Sequence, residues 1–217
     1  MYMLPITQFE TAGYEKKEIG FQLVEMKDLF NPRPSSKQNP FQPHQINFYA
    51  LLILIEGEMN HEVDFVEYRM VKGDCLFICK EQIHKFDKSG NYDGYGIIFT
   101  EEFVLKHFST SAFSKISFLS NFHLNPSLFK NFGDIRIFIR TLKREFSLEL
   151  GNVKNDIVAS ILAVFLLKAQ LHTSHVLKSY NGDYSTFFKF KNLVSSNYAQ
   201  TRKASEYANF LNTTYTQ

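Results

Sequence analysis

The sequence contains no tryptophan, two cysteines, and no long uninterrupted apolar run. Each shortage excludes something. Two cysteines cannot build the disulfide framework of a small secreted domain. Both lie in "GDCLFICK", at Cys75 and Cys79. On a strand, that separation is roughly 13 Å, beyond disulfide reach. A pair of buried thiols fits a reducing compartment. The longest apolar stretch, Ile157 to Leu167 with Ser160 inside it, is too short to span a bilayer. The opening "MYMLPITQFETAGYEKKE" lacks the apolar segment of a secretory signal. These features predict a soluble cytoplasmic protein without a membrane partner. The formal net charge is +2, so no global field draws the chain to nucleic acid or lipid. There is no catalytic triad pattern, no phosphate-binding glycine loop, no internal repeat and no low-complexity stretch.

Aromatic residues are abundant. The 217 residues include 23 Phe and 11 Tyr, enough large rings to build a sizeable core. The hydrophobic fraction is 44% and the charged fraction 21%, ordinary for a globular chain. Charge is uneven only in the tail. From Tyr184 to Gln217 the cations Lys189, Lys191, Arg202 and Lys203 face one acid, Glu206, a local excess of +3.

The pattern from Ile46 to Thr100 is β. "INFYALLILI" reads as an apolar strand and "EGEMN" as a turn. "HEVDF", "VEYRMV", "CLFICK", "IHKF" and "YGIIF" follow as short strands, separated by "KGD" and "KSGNYDG". Short strands with turns at this spacing predict a sandwich or small barrel. "NPRPSSKQNPFQP", with four prolines between Asn31 and Pro43, reads as an extended loop before it.

After Glu101 the period changes. "EEFVLKHF" fits a turn or two of helix. "DIRIFIRTLKREF" places Ile135, Phe138, Ile139, Leu142 and Phe146 on one helical face, with Asp134 and Lys143/Arg144 matching the helix dipole. "NDIVASILAVFLLKAQLH" is apolar nearly all round, which predicts burial on more than one side and leaves room for a seam with a second subunit. "HVLKSYNGDY" (His175 to Tyr184) reads as a linker. "STFFKFKNLVSS" and "SEYANFLN" read as two further short helices.

The β region resembles the sensor domain of AraC-type transcription regulators. The resemblance rests on "PHQINFYALLILIEGEMNHEVDFVEYRMVKGDCLFICKEQIHKF" and "GYGIIFTEEF". It includes the glycine turn Ile55-Glu56-Gly57, the Asp64–Tyr68 hairpin and the Gly73-Asp74 turn. The Gln82–His84 corner and the exit through Gly96, Phe99, Glu102 and Phe103 complete it, with Gly96 spaced slightly short. Gly57 and Gly73 would permit turns with positive φ, and Asp74 would tie its turn down. The tail "YANFLNTTYTQ" resembles the start of the same family's helix-turn-helix domain at Tyr207, Ala208, Leu211, Asn212 and Thr214. Lys203 stands where that family more often has a Ser or Thr cap. The resemblance makes Ala208 the small residue at a helix crossing, Leu211 a core residue and Thr214 the cap of a following recognition helix. It implies that the chain stops before the base-reading elements.

The resemblance therefore implies an α+β chain in three parts. Residues 1–110 are a cupin-like β-barrel (jelly roll) that senses a ligand. Residues 111–177 are a two-helix dimerisation segment. Residues 178–217 are a linker and the truncated start of the helix-turn-helix domain. A small-molecule effector in the barrel would alter promoter DNA binding by a homodimer of the full-length protein. No cofactor or enzymatic activity is implied.

Strand parity gives candidate ligand-binding residues. His44, Ile46, Phe48, Ala50 and Leu52 share one face. His84, Phe86 and Tyr95 are expected across the barrel from them. The candidate ligand-binding set is thus His44, Ile46, Phe48, His84, Phe86 and Tyr95, and the DNA-binding scaffold set is Tyr207, Ala208, Leu211 and Thr214. Plainer roles compete: His44 as a loop histidine, His84 as a hydrogen-bonding group for its turn, Phe48 and Phe86 as core, His61 as an exposed hairpin residue. Two rival functions also compete. A metal-dependent cupin enzyme needs several His and a carboxylate converging on one ion; Ile46 occupies the second position of the His-x-His pattern, and His172 and His175 have no carboxylate beside them. A ligand-free dimerisation module would have a barrel filled by its own side chains.

Overall fold

The computed structural model describes residues 7–9, 20–30, 39–88, 91–116, 119, 128–133, 135–178, 190, 193, 194, 197, 200, 201 and 203–214. Its centre is one strand, β4 (Tyr49–Val63). Its first half pairs antiparallel with β6 (Cys75–Ile78) on one side and β8 (Tyr92–Phe99) on the other. Its second half pairs with β5 (Val66–Val71) and β7 (Ile83–Phe86). β2 (Phe21–Glu25), followed directly by the short helix α1 (Met26–Phe30), extends the first sheet beyond β8, and β9 (Leu128–Phe129) extends it beyond β6. β3 (His44–Ile46) and β1 (Thr7–Phe9) extend the second beyond β7. A single strand thus passes from one sheet to the other, and the two sheets wrap around a shared interior.

The bend in β4 sits where the sequence suggests a turn. The ladder to β8 shifts register between Leu54 and Glu56, and Gly57 has φ +76°. A Cβ at Gly57 would lie 2.0 Å from the Asn91 carbonyl oxygen. Glycine there lets the strand bend without ending. "EGEMN" is therefore a bulge inside a continuous strand and not the predicted turn. Of the expected "HEVDF" strand, His61 to Val63 end β4, and Asp64 and Phe65 form the turn to β5.

The bulge also resets strand parity. Before it, Ala50, Leu52 and Leu54 enter the interior cluster; after it, Met59 and Val63 do. This interior also holds Met26, Ile46, Met70, Leu76, Ile78 and Phe86. The other face of the first sheet carries Tyr49, Leu51, Ile53, Cys75, Phe77, Ile97 and Phe99 into a second cluster, with the helices on top. The six-residue buried run Tyr49–Leu54 follows, since this half-strand is covered on both faces. Cys75 and Cys79 are both buried, and neither forms a disulfide.

Helices α2 (Glu101–His107) and α3 (Thr110–Lys115) start on Thr100 and Ser109, whose side chains accept from the N–H groups of Phe103 and Ala112. α4 (Ile135–Ser147) buries Ile135, Ile139 and Leu142, and half-buried Phe138 and Phe146 pack against the same cluster. α5 (Lys154–Lys178) crosses α4, with Phe138 and Phe165 stacked at 4.1 Å and 28°. Within this single chain α5 is covered on one face, which leaves part of its apolar surface open as the expected seam would need. Val158, Ala159, Leu162, Phe165, Leu166 and Ala169 are buried, but Val164 and Leu171 are exposed. The helix also runs on through His175 to Lys178, where a linker was expected. Most of "STFFKFKNLVSS", and the loop from Asn31 to Gln38, lie outside the described residues.

A last helix, α6 (Ala204–Phe210), has Lys203 as an N-cap without a side-chain bond. It ends in a Schellman motif. Asn212 is in the left-handed region at φ +50°. Its N–H donates to Asn209 and that of Thr213 to Ala208, satisfying two terminal carbonyls. Tyr207 and Ala208 are buried, Leu211 is half-buried, and Thr214 is exposed in irregular backbone.

Candidate functional site

Among the described residues the buried polar side chains are His44, His61, His84, Asp74 and Gln82, and three of them are imidazoles. β3 and β7 pair antiparallel with His44 directly opposite His84. The second half of β4 pairs with β7 with His61 opposite Phe86 and Val63 opposite His84. Three strands therefore deliver His44, His61 and His84 to one place. They are 3%, 1% and 5% exposed. The rings of His44 and His84 are 4.1 Å apart and those of His61 and His84 5.2 Å. Phe86 closes the group, edge-on to His61 at 4.5 Å and 86°.

The hydrogen bonds within this group are specific. His44 Nδ1 donates to the Gln42 carbonyl at 2.8 Å, which places its proton on Nδ1. His61 Nε2 and His84 Nδ1 share one hydrogen bond of 3.1 Å. The other ring nitrogens of that pair, His61 Nδ1 and His84 Nε2, are buried without a hydrogen-bond partner among the described residues. An unsatisfied buried group costs about 1–3 kcal/mol, so two in contact rings are a feature to explain.

Burial holds all three imidazoles in the neutral form. It is the largest influence on each, pushing His61 down to about 3, His84 well below its ordinary value, and His44 down less. Charge on one ring would also disfavour charge on its neighbours: His44 acts on His61, and both act on His84.

The corner before β7 frees His84 from any role in its turn. Gln82 takes that role. Its Oε1 accepts from Cys79 N at 2.8 Å and its Nε2 donates to Asp64 Oδ2 at 2.7 Å. Asp64 also accepts from Ile83 N, so the hairpin after β4 is tied to the start of β7. Asp74 secures its own turn by accepting from Val71 N and Asn131 N.

Of the candidate residues, His44, Ile46, His84 and Phe86 come together in the interior, with Phe48 half-buried at its margin. Tyr95 does not join them. It is paired with Ile53 and packs on the helix side of the sheet. Its hydroxyl accepts from Lys143 Nζ at 2.9 Å, and Lys143 also pairs with Glu25 at 3.1 Å. Parity excludes it, because Ile53 faces the helices. His61, expected on the exposed hairpin, is among the most buried side chains. The alternation Met59, His61, Val63 is the signal that would have placed it, had the strand been read through the bulge. Among the described residues no group of three or more His, Cys, Asp or Glu side chains is arranged to hold a metal ion. Two of the imidazoles point at each other rather than at a common point.

Two sheets wrapped by one strand around an apolar interior, with helices against one outer face, form a cupin-like β-barrel. Residues 33–140 match the model of the AraC-like ligand binding domain. Over these residues the chain is similar to the ligand-binding domain of AraC-type regulators. No curated protein sequence matches it. Among solved structures, ToxT from Vibrio cholerae aligns at 14% identity and a TM-score of 0.37, covering 90% of this chain and 72% of that one. The AraC-like transcriptional activator CuxR aligns at 12% identity and 0.37, covering 78% and 58%. The cupin domain of Schizosaccharomyces pombe Cnp3 aligns at 18% identity and 0.28, covering 42% and 64%. Those likenesses are distant, and the domain match rests on the family model alone. Among the described residues no helix is long and apolar enough to cross a membrane.

Proposed function

We infer that this chain is the sensing part of a transcription regulator, in which a small molecule held in the barrel changes how the full-length protein binds promoter DNA. The observation that carries the reading is the coincidence of the AraC-like ligand-binding match with a buried histidine pair whose outer nitrogens have no hydrogen-bond partner among the described residues. The effector acts by its unequal affinity for two arrangements of the protein. Its binding set is His44, Ile46, Phe48, His84 and Phe86, now with His61.

The helices against the first sheet pass the change outward. Residues 111–177 are read as the dimerisation segment, supported by the apolar side chains α5 leaves exposed, Val164 and Leu171. Residues 178–217 are read as the start of a helix-turn-helix domain. The Schellman end of α6 supports this by turning the chain sharply before Thr214, the residue assigned as the next cap. Tyr207, Ala208 and Leu211 hold that scaffold.

The test uses the protein expressed from the whole reading frame. Its binding to the promoter region of its own gene is measured by gel shift at several salt concentrations, with and without compounds that raise its melting temperature. The reading predicts salt-dependent binding that such a compound alters. Stabilising compounds that never change DNA binding would contradict it. A stoichiometric transition metal in the purified protein would instead favour a metal-dependent cupin enzyme.

A further inference from the structure

The hydrogen-bonding capacity of the His61–His84 pair is fixed by proton counting. Two neutral imidazoles carry two protons on four nitrogens. One proton lies in the bond between His61 Nε2 and His84 Nδ1. The second must therefore sit on one of the outer nitrogens, His61 Nδ1 or His84 Nε2, and the other outer nitrogen keeps a lone pair. Either tautomer of the pair thus shows one donor and one acceptor, and both are buried and unsatisfied among the described residues. His44 cannot complete the set with its Nδ1, which is committed to the Gln42 carbonyl.

The surroundings of the pair are apolar. Phe86 stands edge-on to His61, and Met59, Val63 and Met70 belong to the same interior cluster. Methionine side chains reshape readily around a guest. A purely anionic group would meet a lone pair at one outer nitrogen, and a purely cationic one would meet an N–H at the other. A group that both donates and accepts is matched in either tautomer.

From this geometry we propose that His61 and His84 are the polar anchor of the barrel's effector, and that the effector is an uncharged molecule presenting a hydroxyl or carboxamide on an apolar body. The inference rests on the sensor reading above and narrows it to a ligand class. The ligand's polar group contacts an outer nitrogen of the pair, His61 Nδ1 or His84 Nε2, and the apolar interior takes the rest.

The test is a matched series on one ring: toluene, benzyl alcohol, benzamide and benzoate. They are titrated into the intact chain at neutral pH. Two sets of NMR signals are followed: the imidazole nitrogens of His61 and His84, and the methyl groups of Met59 and Met70. The expected result is that benzyl alcohol and benzamide shift both sets and bind about tenfold more tightly than toluene or benzoate, the worth of roughly one net hydrogen bond. In His61→Leu and His84→Leu that advantage disappears while toluene binding is kept. The wild-type imidazole spectrum decides the matter even if a variant fails to fold. If the probes move the methionine methyls but not the imidazoles, the anchor is overturned and ligand binding in the barrel stands. Benzoate binding most tightly, with the imidazoles shifting to the charged form, overturns the uncharged class. If no probe moves either set, the anchor is overturned, and the sensor reading is left to its promoter experiment.

Discussion

Lowering the pH from about 7.5 to about 5 should destabilise this protein through its buried histidines, and the size of the effect can be worked for His61. Unfolded, its imidazole titrates near 6.5; folded, burial holds it at about 3. A base with a depressed folded pKa binds more protons when unfolded, so stability rises with pH across the interval between the two values. The contribution is complete above about pH 7 and lost as the pH falls. At pH 5 the loss is about 1.5 pH units at about 1.4 kcal/mol each, or about 2 kcal/mol. His84 and His44 shift in the same direction for the same cause and add to it. Urea unfolding followed by circular dichroism at the two pH values reads this directly. The comparison is with His61→Leu, which removes the group from the titration whatever it does to absolute stability. The wild type should lose about 2 kcal/mol more than the variant between pH 7.5 and 5. Equal losses in both proteins would refute the claim that His61 is buried and neutral.

Four further outcomes follow. Gly57→Ala, which drives a Cβ against the Asn91 carbonyl at positive φ, should cost about 2 kcal/mol or more in the same assay. Phe65→Gly should stabilise by about 1 kcal/mol: the Asp64-Phe65 turn has φ +48° and +66°, and Phe65 is 71% exposed, so the ring yields strain without burial. Asp74→Ala leaves the Val71 and Asn131 amides without their acceptor and should cost about 2 kcal/mol, with faster amide exchange at both positions. If α5 forms the dimer seam, Leu171→Glu should move the sedimentation profile toward monomer without lowering the melting temperature of dilute protein. An unchanged profile removes α5 from that role.

The sequence signals differed in how well they survived folding. The helices over the sheet were legible because Ile135, Ile139 and Leu142 repeat at helical spacing and face a flat apolar surface. The Gly73-Asp74 turn was legible because each residue type answers a local need: Gly73 has positive φ, and Asp74 accepts two backbone amides. The course of β4 was not legible. A glycine beside polar residues signals a turn, and only the partner strands reveal that the chain bends through a bulge and stays paired. That one misreading hid His61, since its parity is set after the bulge. Tyr95 was misplaced for a related reason: its side of the sheet is fixed by pairing with Ile53, a long-range register that local alternation does not carry. The histidine cluster itself is a product of three strands meeting, which no spacing along the chain encodes.

The central claim is that the barrel interior, and not an outer surface, takes the effector. The direct measurement is a titration of methionine-methyl-labelled protein with any compound that raises its melting temperature. The account predicts that the signals of Met26, Met59 and Met70, all buried in the interior cluster, move together and saturate with the compound. A saturating stabiliser that leaves those three signals where they were would contradict it.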